Sequence, residues 1–279
     1  MKYTGLRRKL SAIAAGAAFA LLLPATTADA ANTAAAQVYS GNGWKALPGI
    51  HSLSGDGTGY TIQFAGADAR TKLGPTAKQA AAQLTSVTGI KFTVSTALKA
   101  SPEGCAAQPR HVLTLGTKYR PFDGKRGMSR AWHCYNTGDH SVWGGWSWID
   151  TEYWSRPDWF SGNKTTNAAI LKNAINHEIG HMVGLDHPNK DLNRDGKTAD
   201  FECPLTPKKY RPLMCSPNGG YTTADGGGKF TSLETPGLKQ LAVNWTLPAP
   251  AAPAAPAAKT PFATTAPGID RGALGGAES

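Results

Sequence analysis

Three histidines and a glutamate lie in one short segment at a spacing that could hold a metal ion. His177 and His181 are four residues apart, and His187 follows six residues later. Residues four apart share one face of a helix, so the imidazoles of His177 and His181 can reach the same ion. Glu178 points about a quarter turn away, where it can act on water at the metal rather than serve as a ligand. Three histidines leave the fourth tetrahedral position of zinc open, which predicts a catalytic zinc site rather than a purely structural one.

The chain must reverse direction between the second and third histidines. A glycine with positive φ at Gly184 allows the turn that brings His187 back to the ion, and Pro188 prevents the helix from continuing. The zinc helix is expected to begin with Thr165 or Thr166 as its N-cap. Its predicted core-facing stripe is Leu171, Ile175, Ile179 and Met182, and its predicted opposite side is Ile170, Ala174, His177 and His181.

The segment His-Glu-Ile-Gly-His, followed by Gly-Leu-Asp-His, resembles the zinc-binding motif of the metzincin metallopeptidases, and it is most similar to the matrixin branch. The resemblance extends to element order from about residue 58 to 246. It implies an α+β zincin domain with a twisted mixed β-sheet, packed helices, an active-site helix and a substrate cleft beneath an edge strand. It also implies a methionine turn below the zinc, for which Met214 is the candidate.

This resemblance implies a secreted zinc endopeptidase that acts on polypeptides, with zinc held by His177, His181 and His187 and with Glu178 as general base. Two rival functions remain open from the residues. One is an exported zinc-containing protein that binds polypeptides without turnover, and the other is a peptidase for peptidoglycan cross-links.

Two features depart from the matrixin pattern. Cys105 is the only cysteine upstream that could act as a propeptide switch, and its neighbours do not form that motif. Ser216 stands two residues after the methionine, where some metzincin branches have a tyrosine ligand. Tyr210 or Tyr221 could replace that tyrosine only if the fold brought one of them to the metal.

A third departure is an insertion at residues 191–202 that matches the twelve-residue calcium loop. Its oxygen donors and the central glycine occur at the expected positions, and the flanking Pro188 and Pro204 argue against the helices of an EF-hand. An ordinary polar turn is the alternative. The candidate calcium ligands are Asp191, Asn193, Asp195, Lys197 and Glu202.

The N-terminus is typical of a secretory signal peptide, residues 1–30, because basic residues precede an apolar run and a small-residue cleavage site. In an exported chain, four cysteines predict two disulfides. Four cysteines allow three pairings, of which we favour the local one, Cys105 with Cys134 and Cys203 with Cys215. Thiolate zinc ligands are the disfavoured alternative, because no pair has the close spacing of a zinc knuckle.

The formal net charge is +10, but the chain has no dense run of lysine and arginine and no nucleic-acid motif. A basic surface of this kind predicts solubility or attraction to acidic surfaces rather than nucleic-acid binding. After the signal, no apolar stretch is long enough to span a membrane. We expect a monomer.

The expected organisation is an N-terminal segment at 31–55, a catalytic domain at 56–246 and an extended Pro/Ala-rich tail at 247–279. The segment at 31–55 could be a short propeptide or part of the mature fold. The pattern predicts strands at Thr58–Ala65, Lys91–Ser95, His111–Gly116, Ser129–Tyr135 and Val142–Tyr153. It predicts further helices at Pro75–Thr88 and from Thr235, the N-cap, to Trp245.

Other chemistry-bearing residues have simpler explanations. By the resemblance, His111, His133, His140 and Asp139 could form a second structural zinc site, but their spacing does not match, so surface or cleft positions are favoured. Four tryptophans could line a substrate-binding wall, although packing in the core and sheet is the simpler expectation. They are Trp143, Trp146, Trp148 and Trp154.

Overall fold

Two β-sheets and three helices make up the computed structural model, which describes residues 37–102 and 104–250. The strands are β1 Ser40–Gly41, β2 Trp44–Ala46, β3 Ser52–Leu53, β4 Tyr60–Phe64, β5 Phe92–Leu98, β6 Val112–Lys118, β7 Arg130–Tyr135, β8 Ser141–Asp150 and β9 Leu185–Asp186. The helices are α1 Ala67–Thr88, α2 Lys164–Met182 and α3 Thr235–Asn244, and a short 3-10 helix spans Thr151–Trp154. The predicted signal peptide and residues 251–279 of the predicted tail lie outside the described residues.

The larger sheet is mixed, as the α+β prediction required. Its strands run in the order β3-β8-β6-β4-β5, and every pair along this path is parallel. Strand β7 pairs with β8 in antiparallel register and forms one edge of the sheet. The zincin family itself is not decided by this topology, but the predicted class and the mixed sheet are confirmed.

Alternation along the strands gives the sheet two different faces. On β6 and β8, Leu113, Leu115 and Ile149 belong to the main core, where they pack with residues of α1 and α2. The other face carries Trp146 beside the Cys105–Cys134 disulfide, in a smaller apolar cluster. Successive side chains of a strand point to opposite faces. The helices therefore cover one face, and the tryptophan-rich face looks away from them.

Helix α1 begins at Ala67, so the predicted start at Pro75 is wrong. A proline inside a helix leaves the carbonyl four residues earlier without its donor. Here that carbonyl belongs to Thr71, and both Thr71 and Pro75 are exposed, so water can replace the lost hydrogen bond. The helix ends at Thr88, as predicted, because Gly89 takes the left-handed conformation with φ 74°.

Helix α2 is capped by Asn163, whose side chain accepts a hydrogen bond from the backbone N–H of Thr166 at 3.1 Å. The predicted caps Thr165 and Thr166 therefore lie inside the first turn. The sequence predicted one packing face and one metal-binding face, but both are buried from residue 173 to 182, so the two faces do not differ in exposure there. Strand β9 and the Met214 loop cover the side that carries the histidines.

The N-terminal segment from residue 37 onward is packed into the fold. Strand β2 pairs antiparallel with β9, and β1 pairs with β2, which gives a small three-stranded sheet. Asn244 at the end of α3 donates hydrogen bonds to the carbonyls of Val38, at 3.2 Å, and His51, at 2.9 Å. This part of the 31–55 segment is thus an integral layer over the end of α2 and beside α3.

Two disulfides join the expected cysteines, Cys105 with Cys134 and Cys203 with Cys215. The first staples the loop before β6 to β7, and the second closes the segment that leads to Met214. Disulfides of this kind are compatible with an extracellular protein. Within the described ranges, no helix combines the length and the apolar character needed to cross a membrane.

Candidate metal centre

The three predicted histidines converge on one point. Nε2 of His187 lies 3.0 Å from Nε2 of His177 and 3.1 Å from Nε2 of His181. Tetrahedral zinc with Zn–N bonds of about 2.0 Å places its ligand nitrogens about 3.3 Å apart, so the spacing fits such an ion. Among the described residues, this is the one group of three or more His, Cys, Asp or Glu side chains that could hold a metal ion.

Backbone carbonyls fix the orientation of two of these rings. Nδ1 of His177 lies 3.0 Å from the carbonyl of Leu213, and Nδ1 of His181 lies 2.8 Å from the carbonyl of Leu185. A carbonyl can only accept, so each Nδ1 carries the proton and donates it. This tautomer leaves the Nε2 lone pairs free, as metal ligation requires.

The turn that delivers His187 uses the glycine identified in the sequence. Gly184 has φ +97°, in the region that favours glycine. The backbone N–H of His187 donates to the carboxylate of Asp186 at 2.8 Å, and the same carboxylate pairs with Nζ of Lys45 at 2.9 Å. The third ligand is therefore held by β9 and, through it, by the N-terminal strand β2.

Burial keeps the histidine ligands neutral. It lowers the pKa of His177 to about 4, and it lowers the pKa of His181 and of His187 well below the usual imidazole range. A neutral imidazole is the form that binds metal. The site is therefore preset for a cation near pH 7.

Glu178 directly follows the first ligand, His177, and it is buried, with 3% of its surface exposed. Its Oε2 has no hydrogen-bond partner. Burial raises the pKa of Glu178 well above the usual carboxyl range. A nearby cation would act in the opposite direction and favour the carboxylate.

Met214 lies directly beneath the metal-binding helix. A Cβ placed on Gly180 would be 2.2 Å from the sulfur of Met214, so any larger residue here would force the methionine side chain to move. Met214 itself is 1% exposed. The glycine between the first two histidines thus has a packing role that its sequence position alone did not reveal.

Sequence reasoning missed Glu234, which holds the methionine turn from below. Its carboxylate accepts hydrogen bonds from the backbone N–H groups of Met214 and Thr231, both at 2.6 Å, and from the hydroxyl of Thr231 at 2.8 Å. Burial raises the pKa of Glu234 to about 7. The signal was present, because a threonine followed three residues later by glutamate is the pattern of a capping box. The predicted N-cap, Thr235, is instead the first residue of α3.

The edge strand β7 passes beside the metal-binding helix. Its buried His133 packs next to the end of α2, since a Cβ placed on Gly145 would lie 3.3 Å from Cα of His133 and 3.1 Å from Cγ of Met182. Burial lowers the pKa of His133 to about 4. Tyr153, in the 3-10 helix after β8, is also buried, and its hydroxyl hydrogen-bonds with that of Ser129 at 2.9 Å. Burial raises the pKa of Tyr153. Thus a sheet edge passes beside the helix that carries the first two histidines.

The candidate calcium residues lie in an exposed loop in which the acidic side chains bind backbone amides. Oε1 of Glu202 accepts from the N–H groups of Leu192, at 2.6 Å, and Asn193, at 2.9 Å. Asp191 accepts from Asp195 and Gly196, whose φ is +86°. Lys197 donates its backbone N–H to Asp195 at 2.9 Å. The turn is well formed. The carboxylates of Asp191, Asp195 and Glu202 are bonded to backbone amides, so they do not form a metal-binding group in this arrangement, and a cation would have to draw them together.

The remaining histidine candidates lie apart from one another. Nε2 of His111 pairs with Asp56 at 2.9 Å, and His140 stacks on Tyr135 with ring centres 6.1 Å apart. Among the described residues, these side chains therefore do not form the second zinc site considered from the sequence.

The tyrosine and tryptophan candidates make local packing contacts. Tyr210 and Tyr221 pack edge to face on each other at 5.0 Å. Trp143 and Trp146 are buried in the cluster on the outer face, Trp148 packs against that cluster, and Trp154 contacts the main core. Packing thus accounts for these tryptophans.

Comparison of the chain with protein-family models, with curated proteins and with solved structures finds no match. Function therefore has to be inferred from the geometry of the site.

Proposed function

We propose that the protein is a secreted zinc-dependent endopeptidase of the metzincin type. The observation that carries the proposal is the convergence of three Nε2 atoms, with Glu178 adjacent in sequence and presenting a buried, unpartnered carboxylate oxygen. A structural site would have a fourth protein ligand and no need for such a glutamate.

The donor set favours zinc. Three neutral imidazoles suit zinc better than calcium or magnesium, which prefer oxygen ligands. Bound at His177, His181 and His187, zinc would polarise a peptide carbonyl and lower the pKa of water to near 7.

Glu178 would then carry out the proton transfers. Its carboxylate removes a proton as water attacks the peptide carbonyl, and the protonated side chain gives that proton to the leaving amine. Because the side chain is buried, few water molecules compete for the proton. Met214, Leu213 and Glu234 touch no substrate in this scheme, and they hold the ligands in place.

The edge strand supports a polypeptide substrate. An extended peptide can add to an exposed sheet edge through main-chain hydrogen bonds, and its side chains then alternate in direction. Strand β7, which contains His133, offers such an edge beside the end of the metal-binding helix. This mode of binding recognises the backbone of a polypeptide and positions one peptide bond at the ion.

The test compares residues 31–279 with the variant Glu178→Ala, both loaded with zinc to the same content. The substrate is an unfolded protein. Cleavage by the parent alone is expected, because removing the proton acceptor leaves the metal ligands unchanged. Equal cleavage by both proteins would exclude Glu178 as the base. Binding without cleavage by the parent would favour the polypeptide-binding alternative, and release of peptides from purified peptidoglycan alone would favour the cross-link peptidase.

We also propose calcium as a second cofactor, bound at residues 191–202. The supporting observation is the left-handed Gly196 in a turn whose spacing matches a calcium loop. Calcium added to the zinc-loaded protein should raise its Tm, and the double variant Asp191→Asn/Asp195→Asn should show no rise. An unchanged Tm in the parent would leave the segment as an ordinary polar turn.

A further inference from the structure

Residues 118–130, which run from the last residue of β6 through the connecting loop to the first residue of β7, are strongly basic, and we call this segment the basic loop. We infer that it binds an acidic stretch of the polypeptide substrate, an inference that rests on the endopeptidase proposed above. The loop contains a single acidic residue, Asp123. Its cationic residues are Lys118, Arg120, Lys125, Arg126 and Arg130.

Three of these cations are free to meet a ligand. Arg120 pairs with Glu152 at 2.8 Å and Arg130 pairs with Asp123 at 3.0 Å. Lys118, Lys125 and Arg126 are exposed, and no carboxylate of the described residues lies within ion-pair distance of them. The surface therefore has an excess of positive charge that its own acidic side chains do not neutralise.

Aromatic rings hold the free cations in place. The guanidinium of Arg126 lies 5.1 Å from the ring centre of Trp159, and Nζ of Lys125 lies 4.9 Å from that of Phe122. Stacking of this kind restricts long side chains before any ligand arrives. Binding then costs less side-chain entropy than binding to free lysines would.

Buried carboxylates fix the backbone of the loop. Asp150 accepts hydrogen bonds from the N–H groups of Arg120 and Met128, each at 3.1 Å. Glu152 accepts from the N–H of Gly127 at 2.9 Å. The loop is thus attached near both ends to the last residue of β8 and to the 3-10 helix that follows it, and its cations are presented on a preformed surface.

The position of the basic loop selects the partner. The loop runs directly into β7, and in the described part of the chain β7 pairs with β8 alone. His133 in the second half of β7 lies beside the end of α2, the helix that carries His177 and His181, because a Cβ placed on Gly145 would contact both His133 and Met182. A polypeptide paired along β7, with its scissile bond at the metal, would pass the basic loop on one side of that bond. Charge complementarity then favours glutamate and aspartate at those substrate positions.

The test uses three fluorogenic peptides: a neutral one, one with three glutamates before the scissile bond, and one with three glutamates after it. The zinc-loaded parent should cleave one of the two acidic peptides with a kcat/KM about tenfold above that of the neutral peptide, mainly through a lower KM. The preference should vanish in Lys125→Glu/Arg126→Glu and should fall with added salt. Cleavage of the neutral peptide should be unchanged in this variant.

The matched control is Lys78→Glu/Lys91→Glu, which makes the same change in net charge on α1 and beside β5, the strand at the opposite edge of the sheet. The control should keep the preference. The inference fails if the parent shows no preference, if Lys125→Glu/Arg126→Glu retains it, or if the control loses it equally. It also fails if that variant loses only affinity for an anionic polysaccharide, because the surface would then serve a different polymer.

A binding measurement separates this inference from the proposed activity. Zinc-loaded Glu178→Ala should bind the preferred acidic peptide more tightly than the neutral one in fluorescence anisotropy, with or without turnover in the parent. Cleavage of no peptide combined with selective binding would reject the endopeptidase and retain the basic loop as a binding surface. Cleavage of all three peptides at equal rates would retain the endopeptidase and reject the basic loop as a binding surface for acidic peptides.

Discussion

Replacing Gly180 by alanine tests whether Met214 seats the metal-binding helix. The new Cβ would lie 2.2 Å from the sulfur of Met214 and 3.2 Å from the ring of Phe230. Overpacking of this kind costs about 1–3 kcal/mol, and the higher helix propensity of alanine offsets about 1 kcal/mol of it. We expect Gly180→Ala to lower the free energy of unfolding by up to about 2 kcal/mol.

Gly74 in α1 provides the matched control. A Cβ there would meet only one atom, of Phe64, at 3.9 Å, which is ordinary contact. Gly74→Ala should therefore raise the free energy of unfolding by up to about 1 kcal/mol, since alanine is the better helix former. The two substitutions are chemically identical, so the difference between them isolates the contact with Met214.

Urea unfolding of the zinc-free proteins measures these energies, and competition with a chelator measures zinc affinity. Displacement of Met214 should shift the helix that carries His177 and His181, so Gly180→Ala should bind zinc about tenfold more weakly, as after loss of other outer-shell support. Gly74→Ala should bind zinc like the parent. If Gly180→Ala stabilised the protein as much as Gly74→Ala does, Met214 could not be packed against the helix as described.

Three further predictions concern the same centre. The zinc-free protein should lose stability as pH falls from about 6.5 towards about 4. The pKa of His177 is lower in the folded state than in the unfolded state, so the unfolded state takes up the proton at a higher pH, and this residue alone contributes roughly 3 kcal/mol. Urea unfolding at pH 7 and pH 5 measures the loss, and equal values would contradict it. Lys45→Met should weaken zinc affinity, measured by chelator competition, because Asp186 loses its partner; unchanged affinity would show that β2 positions His187 through its backbone alone. Replacing both Cys203 and Cys215 by serine should cost about 3 kcal/mol of stability for a loop of this length, and a Tm equal to the parent's would refute it.

Local spacing predicted the parts of the site that lie close together in the chain. The helical face of His177 and His181, the turn at Gly184 and the return of His187 all follow from backbone geometry within one short segment. The two disulfide pairs follow from proximity in sequence for the same reason. Each of these features depends on a few consecutive residues whose conformations are restricted by residue type.

Long-range packing could not be predicted in the same way. The sequence gives no sign that Gly180 faces Met214, because that contact joins a helix to a distant loop. The early start of α1 escaped prediction because an exposed Pro75 is tolerated where a buried one would break the helix. Pairing of β2 with β9 was equally hidden, since strands of two or three residues carry almost no periodic signal.

That pairing of β2 with β9 has a consequence for when the metal site can exist. The strand that leads into His187 is paired with residues from the N-terminal part of the protein, about half the chain away. Contacts of such high sequence separation form slowly, because the intervening chain must first lose its conformational freedom. We therefore expect the ion to be bound with full affinity only after this pairing has formed, late in folding.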